Sequence, residues 1–147
     1  MDLNNLNDNQ IKKLIKELKY PETLIDKNLL NGLIANSLNL RQNILSFELG
    51  LEYFVAIKRG NLEKCRFSIS IIFKATHHTL VRFDINGGEH TNPDNTKAPK
   101  THVHIYSNKY EKKDRYAYPI DLTKFPQIYD IYNAYLYFLE YNNIKEN

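Results

Sequence analysis

Apolar positions along this chain follow two different periods, and the switch between them divides it. Over residues 9–19, Ile11, Leu14, Ile15 and Leu18 fall on one helical face, with Lys12, Lys13 and Lys16 on the other. Asp8 or Asn9 is placed to cap that helix. Tyr20-Pro21 stops it, because the residue before a proline is pushed out of helical geometry. Pro21 and Glu22 then suit the first turn of a new helical stretch. Residues 22–43 keep a helical spacing interrupted by Gly32 and several asparagines, which predicts one broken helix or two short ones. From Phe47 the period falls to two. Tyr53, Val55 and Ile57 alternate with Phe54, Ala56 and Lys58, a half-buried strand. Residues 64–74, 78–86, 101–107 and 115–120 predict four more strands. A helix over about 126–141 closes the chain, with Pro126 in its first turn and Ile128, Ile131, Tyr132, Tyr135, Leu136 and Leu139 as its apolar stripe.

Helices, then a meander, then a helix predict an α+β fold. It has about five strands in a mainly antiparallel sheet, with the N-terminal helices and the C-terminal helix packed on one face. The whole of 1–147 reads as one domain: a helical part over 1–45, the sheet over 46–120 with a long loop at 86–100, and the final helix within 125–142. Hydrophobic residues make up 42%, enough for a packed core without disulfides. The single cysteine, Cys65, has no internal partner, which fits a reducing compartment, and its place in a predicted strand puts it in the core. No stretch resembles a signal peptide or a spanning helix, so a cytoplasmic protein with no membrane partner is expected.

The chemistry concentrates between Arg82 and Asp121. In Thr101–Ser107, Val103 and Ile105 must share one face and His102, His104 and Tyr106 the other. The strand at 78–86 divides in the same way, with Arg82 and Asp84 on its polar side. Paired through the 86–100 loop, these strands would make Arg82, Asp84, His102 and His104 neighbours, with His90 and Asp94 on the loop above. Net charge is +3, and Lys97 to Arg115 alone carries +4, so the rest of the chain is close to neutral. A positive segment beside histidines favours an anionic partner such as a phosphate backbone, or is a solvated loop.

Three chemistries fit that row. Histidines can move protons at both oxygens of a phosphodiester, with His102 and His104 as acid and base and His90 assisting. Arg82, Arg115, Lys109, Lys112 and Lys113 would then hold phosphate, and Tyr106 would orient the substrate. The same side chains could instead ligate a divalent metal, from a set of Asp84, Asp94, His90, His102 and His104. His-x-His is a weak signal for that, without HExxH or paired CxxC, and no cofactor is expected. The third possibility is plain structure, in which outward histidines bond to loop backbone.

The central stretch also resembles a family of small bacterial and prophage proteins of unknown function. The resemblance rests on Asn86-Gly87, His90-Thr91-Asn92-Pro93-Asp94, His102-Val103-His104-Ile105-Tyr106 and Tyr116-Ala117-Tyr118-Pro119. This chain departs from the pattern in having Ala98-Pro99-Lys100-Thr101 where a Gly-Pro often directly precedes the His-x-His. The resemblance implies one small intracellular domain, often of a mobile element, and marks His90, Asp94, His102, His104 and Tyr106; it names no reaction. The expected function is a nucleic-acid-directed protein of a phage or mobile element, an endoribonuclease of the toxin type acting on RNA or single-stranded nucleic acid. The alternative is a non-enzymatic inhibitor that binds a host defence complex.

Overall fold

The computed structural model describes residues 1–32, 38–60 and 62–146. Helix α1 runs Asp8–Lys16, and Asn7 rather than Asp8 or Asn9 caps it. The Asn7 side chain accepts from Gln10 N at 2.8 Å, and the Gln10 side chain accepts from Asn7 N at 2.9 Å. This reciprocal pair satisfies two of the amide donors that every helix start leaves open. Strand β1 (Lys19–Pro21) follows, then the short helix α2 (Lys27–Gly32).

The next element corrects the expectation of helix through residue 43. Leu38–Ser46 is a strand, β2, antiparallel to β3 (Glu52–Arg59). Leu40, Gln42 and Ile44 lie opposite Ile57, Val55 and Tyr53 on the core side. Gln42 is the reason the period of two is hidden, since a polar residue occupies a core position. It is fully tied there, donating to Thr23 O at 2.5 Å and to the Tyr135 hydroxyl at 2.8 Å. The expected helical positions at 33–37 lie outside the described residues.

Strands β4 (Phe67–Phe73) and β5 (Thr79–Ile85) continue the meander. A small ribbon of β6 (His90–Thr91) and β7 (Lys97–Ala98) interrupts the return to β8 (His102–Ile105). β9 (Ala117–Pro119) pairs with β8, and helix α3 (Ile131–Tyr141) ends the fold. Among the described residues the main sheet has seven strands, not five, in the order β1-β2-β3-β4-β5-β8-β9, and every pairing is antiparallel. The extra strands are β1 and β2. Both outermost strands are three residues long and end in a proline, Pro21 in β1 and Pro119 in β9.

Four other expectations shift. The stretch 47–51 alternates but turns, leaving Phe47 exposed, with Gly50 at φ +64° making the bend. Helix α3 begins at Ile131, because Asp130 caps it through Asn133 N at 3.0 Å; residues 122–129 form turns. Leu136 is exposed and is not part of the packed stripe, whereas Ala134 and Phe138 are buried. Cys65 is exposed in the turn before β4 and is not in the core.

The core lies on one face of the sheet. Tyr53, Val55 and Ile57 (β3), Phe67, Ile69, Ile71 and Phe73 (β4), Val81, Phe83 and Ile85 (β5) and Val103 (β8) pack against Ile11 and Leu14 of α1, Leu30 of α2 and Ile131, Tyr135 and Phe138 of α3. Phe83 sits at its centre, edge-on to Phe138 with ring centroids 5.0 Å apart. Where α1, β1 and the end of α3 meet, Lys19 is completely buried. Its Nζ donates to the carbonyls of Leu14 (2.6 Å), Ile15 (3.1 Å), Glu17 (2.9 Å) and Asn142 (2.7 Å). Burial pushes its pKa down to about 8, so the ammonium keeps its proton at neutral pH. It caps the C-terminal carbonyls of α1 and ties them to the chain just past α3. The other face of the sheet is polar, and the site stands there.

Candidate functional site

β5 and β8 pair with Arg82 opposite His104 and Asp84 opposite His102. The period of two therefore puts all four side chains on the polar face, while Val81, Phe83 and Val103 point into the core. Asn86 ends β5 in the left-handed region at φ 53°, and Gly88 at φ 102° completes the turn, a value that penalises any side chain with a Cβ. Gly87 N donates to Lys100 O at 2.9 Å and closes the base of the loop.

Three ligand-type atoms converge. His102 Nε2 and His104 Nε2 lie 3.2 and 3.1 Å from the same oxygen, Asp84 Oδ2, and 3.1 Å from each other. Among the described residues this is the one group of three or more His, Cys, Asp and Glu side chains with atoms so placed. Both histidines are almost fully buried, and Asp84 keeps a partly open edge. Arg82 fixes the other carboxylate oxygen, Nε to Asp84 Oδ1 at 3.1 Å, and reaches across to Asp114 Oδ2 at 2.6 Å. Asp114 is a buried acidic side chain from the 107–116 loop that no sequence pattern singles out. Nothing in the run Lys112-Lys113-Asp114-Arg115 distinguishes it from a solvated charge.

Proton positions follow from the partners. His102 Nδ1 lies 2.6 Å from the carbonyl oxygen of Pro99, which can only accept, so that nitrogen carries a proton. Its Nε2 then has a lone pair when the ring is neutral. His104 Nδ1 is buried without a partner. Burial works against charge on His102, but the Asp84 hydrogen bond and the Pro99 carbonyl outweigh it and raise its pKa. Burial would raise Asp84, yet the bonds from His102 and His104 and the charge of Arg82 hold its carboxyl well below the usual range.

His90 stands over the pair, its ring centroid 5.0 Å from that of His104 and 5.8 Å from that of His102. Its Nε2 donates to Arg115 O at 2.9 Å, which leaves Nδ1 as the basic atom. Burial first, and then the neighbouring His104, His102 and Arg82, lower its pKa against the pull of the Arg115 carbonyl, so it is neutral at pH 7.

Metal-free protein should show these shifts in its stability. A raised His102 pKa stabilises fully below the unfolded value near 6.5, and the effect is lost as pH climbs through the folded value. Lowered His90 acts in the opposite sense and costs stability as pH drops below about 6.5. His102→Gln should therefore be less stable than the wild type at about pH 6, with the gap narrowing toward about pH 8. Thermal denaturation in chelator at each pH tests this, and a gap independent of pH would mean that His102 does not titrate there.

Asn92 positions the loop. It is buried, donates to Ala117 O at 2.9 Å and accepts from Ala117 N at 2.8 Å, pinning the β6–β7 ribbon to β9. Asn92→Ala would strand two buried backbone groups and should cost about 2–3 kcal/mol in urea unfolding. A cost near zero would mean that the loop is held by other interactions.

Several expected site residues lie elsewhere. Tyr106 is a correction: β8 ends at Ile105, the chain bends, and the ring turns into the core. Its hydroxyl donates to Leu3 O at 2.8 Å and accepts from Leu6 N at 3.5 Å, so it anchors the N-terminus and does not face the site to orient a substrate. Asp94 is outside the ligand triangle; its carboxylate takes Thr96 Oγ1 at 2.6 Å and the Tyr116 hydroxyl at 2.8 Å, and so shapes the turn. Arg82 is held by two carboxylates, Nε on Asp84 and Nη1 on Asp114, so its first role here is to brace the cluster. Arg115 contributes its carbonyl, through His90, while its side chain is exposed. Lys109 and Lys112 are exposed, and Lys113 bonds Asn108 Oδ1 at 2.8 Å.

A family model described as a family of unknown function, DUF6978, matches residues 6–144. The chain belongs to this family. The match covers every element from α1 to α3, so the histidine–aspartate cluster and the sheet that carries it lie inside the DUF6978 region. No curated protein and no solved structure matches the chain. Among the described residues, no helix is long and apolar enough to cross a membrane.

Proposed function

We propose that this DUF6978 chain is a metal-dependent enzyme that cleaves phosphodiester bonds, with one divalent cation held by Asp84, His102 and His104. The observation that carries the reading is the near-equilateral triangle of ligand atoms, with sides of 3.1–3.2 Å. Ligands at about 2.05 Å around a tetrahedral cation stand about 3.3 Å apart, and those at about 2.2 Å on one face of an octahedron about 3.1 Å apart. Two histidines and one carboxylate on a face are a common metal-binding set.

Without a cation, the two Nε2 atoms compete for one carboxylate oxygen while facing each other at 3.1 Å. With one, both lone pairs and the carboxylate point at the same charge. Pro99 O then fixes the tautomer of His102, and Arg82 fixes the orientation of Asp84, the roles that outer partners play around bound metals. A metal-free acid–base pair fits less well, because both nitrogens meet at a carboxylate rather than at an open surface.

Such a cation supplies a more acidic bound water and polarises a phosphoryl oxygen. His90, neutral and with Nδ1 able to accept, stands beside the cluster and would serve there as a proton acceptor. The test is calorimetric titration of chelator-stripped protein with Zn(II), Mn(II) and Co(II), alongside cleavage of an unstructured oligonucleotide. One ion per chain is expected in the wild type and none in His104→Ala, with cleavage following metal. Equal binding by the variant, or none by either protein, would sink the reading.

A further inference from the structure

The described helices pack on the core side of the sheet and leave the polar face of β2–β5 to strands and loops. Two adjoining depressions open on its Asp84 side. One, of about 720 Å3, lies at the end of the sheet, with Asn39, Lys58, Ser68 and Asp84 lining it from the polar face and Leu38 and Phe67 from the core side. The second, of about 340 Å3, is lined by Ala56, Lys58, Ser68, Ser70, Arg82 and Asp84 among others. They share Lys58, Ser68 and Asp84, so together they form one open trough. From Ser68 to Ile72 it follows β4 for about 13 Å at the usual strand rise. Asp84, a corner of the ligand triangle, stands in its wall and is the cluster's partly exposed member.

The lining chemistry suits phosphate. Lys58 is exposed on the outer face of β3, and Arg66 is exposed at the entrance of β4, with one bond to Gly87 O at 3.4 Å. Arg41 extends the cationic row on β2, lying 4.5 Å over the Phe54 ring. Hydroxyls of Ser68 and Ser70 occupy the floor between them. Carboxylates are few: Glu63, and Asp84, which is paired with Arg82. The lysine-rich segment expected to bind phosphate is not the wall of this trough; Lys109 lines a separate depression beside α1 with Lys12 and Lys16.

We infer that the trough is the track of a single-stranded nucleic-acid backbone, which it delivers to Asp84, His102 and His104. The inference rests on the metal-centre reading for what happens at the end of the track, but its binding test does not require metal. An open trough one sheet deep, running past the cluster, suits a polymer threading through it better than a small ligand enclosed in a pocket. Cations and hydroxyls without a base-reading edge predict backbone binding with little sequence preference.

The experiment measures fluorescence anisotropy of labelled single-stranded RNA and DNA of about 12 nucleotides, a length within the range of single-strand binding sites. Both are titrated with wild type, Lys58→Glu/Arg66→Glu, Lys58→Gln/Arg66→Gln, Lys112→Glu and His102→Ala. The reversal variant should bind at least about tenfold more weakly. The glutamine variant should reduce the slope of the salt dependence by about 0.7 for each phosphate it no longer neutralises. Both should keep wild-type metal stoichiometry. His102→Ala should lose metal, and chelator-stripped wild type should still hold the strand as the metal-loaded protein does, so failure of the metal reading and failure of the track are separable. A preference between the two strands tells which nucleic acid is the substrate. Unchanged binding by both trough variants, or a loss confined to Lys112→Glu, would overturn the inference. So would absence of binding to either strand, which would point instead to a protein partner.

Discussion

Asp84→Asn is expected to lower divalent-metal affinity by at least about 100-fold and to abolish cleavage, while leaving the chain folded. The carboxylate does three things at once that the amide cannot combine. It supplies the one anionic ligand of the triangle, it accepts from both histidines through Oδ2, and it takes Arg82 Nε through Oδ1. The amide can present one oxygen but no charge, so the lone pairs of His102 and His104 would face a cation without its counter-ion. Folding should survive because Arg82 keeps Asp114 at 2.6 Å. In metal-free protein, the same change removes the hydrogen bond that raises His102, and its pKa should fall toward or below that of an ordinary histidine. Calorimetry and proton NMR of the imidazole signals read the two effects separately. Asp94→Asn is the contrast: its carboxylate serves Thr96 and Tyr116, so metal affinity should stay within about threefold. If Asp84→Asn kept its metal and Asp94→Asn lost it, the ligand set would be wrong.

Lys19→Met should destabilise the protein by about 3–5 kcal/mol without touching the site. The ammonium is the common partner of four carbonyls, three from the last turn and exit of α1 and one from Asn142 just past α3. Methionine matches the stem in volume but leaves those acceptors facing an apolar group. Hydrogen bonds to a charged donor contribute about 1.5–3 kcal/mol each, and their loss exceeds what is recovered by no longer burying a charge. Arginine should not rescue, because a planar fork cannot replace a compact ammonium in a fully enclosed space. Urea unfolding gives the number, and a loss under about 1 kcal/mol would mean that the carbonyls find other partners.

Much of this arrangement was legible from alternation alone. Tyr53, Val55 and Ile57, and Phe67 through Phe73, announce their strands because every second residue is apolar. The same rule sorts Arg82 and Asp84 from Val81 and Phe83, and His102 and His104 from Val103, and the observed register then makes the four polar residues neighbours. It failed where one residue contradicted the period. Gln42 stands in the core, bonded to Tyr135, so β2 read as helix. At Tyr106 the alternation was carried one residue beyond the strand's end, and the side chain goes inward. Asp114 was invisible for a different reason: it reaches Arg82 from 32 residues away, and only the fold brings them together. The open trough was equally hidden, because Lys58 and Arg66 look like ordinary surface charges until β3 and β4 set them along one groove.

The two ends of the main sheet bear on how this protein can associate. β1 and β9 are each three residues long and each closes on a proline, which has no amide hydrogen to offer. On its outer side β1 is also met by Ile144, bridged to Lys19. Neither border is a template on which a foreign strand could continue the ladder, so both strand-addition complexes and edge-to-edge aggregation are disfavoured. A macromolecule that docks on the main sheet would therefore use side chains on its face rather than backbone at either of these two borders.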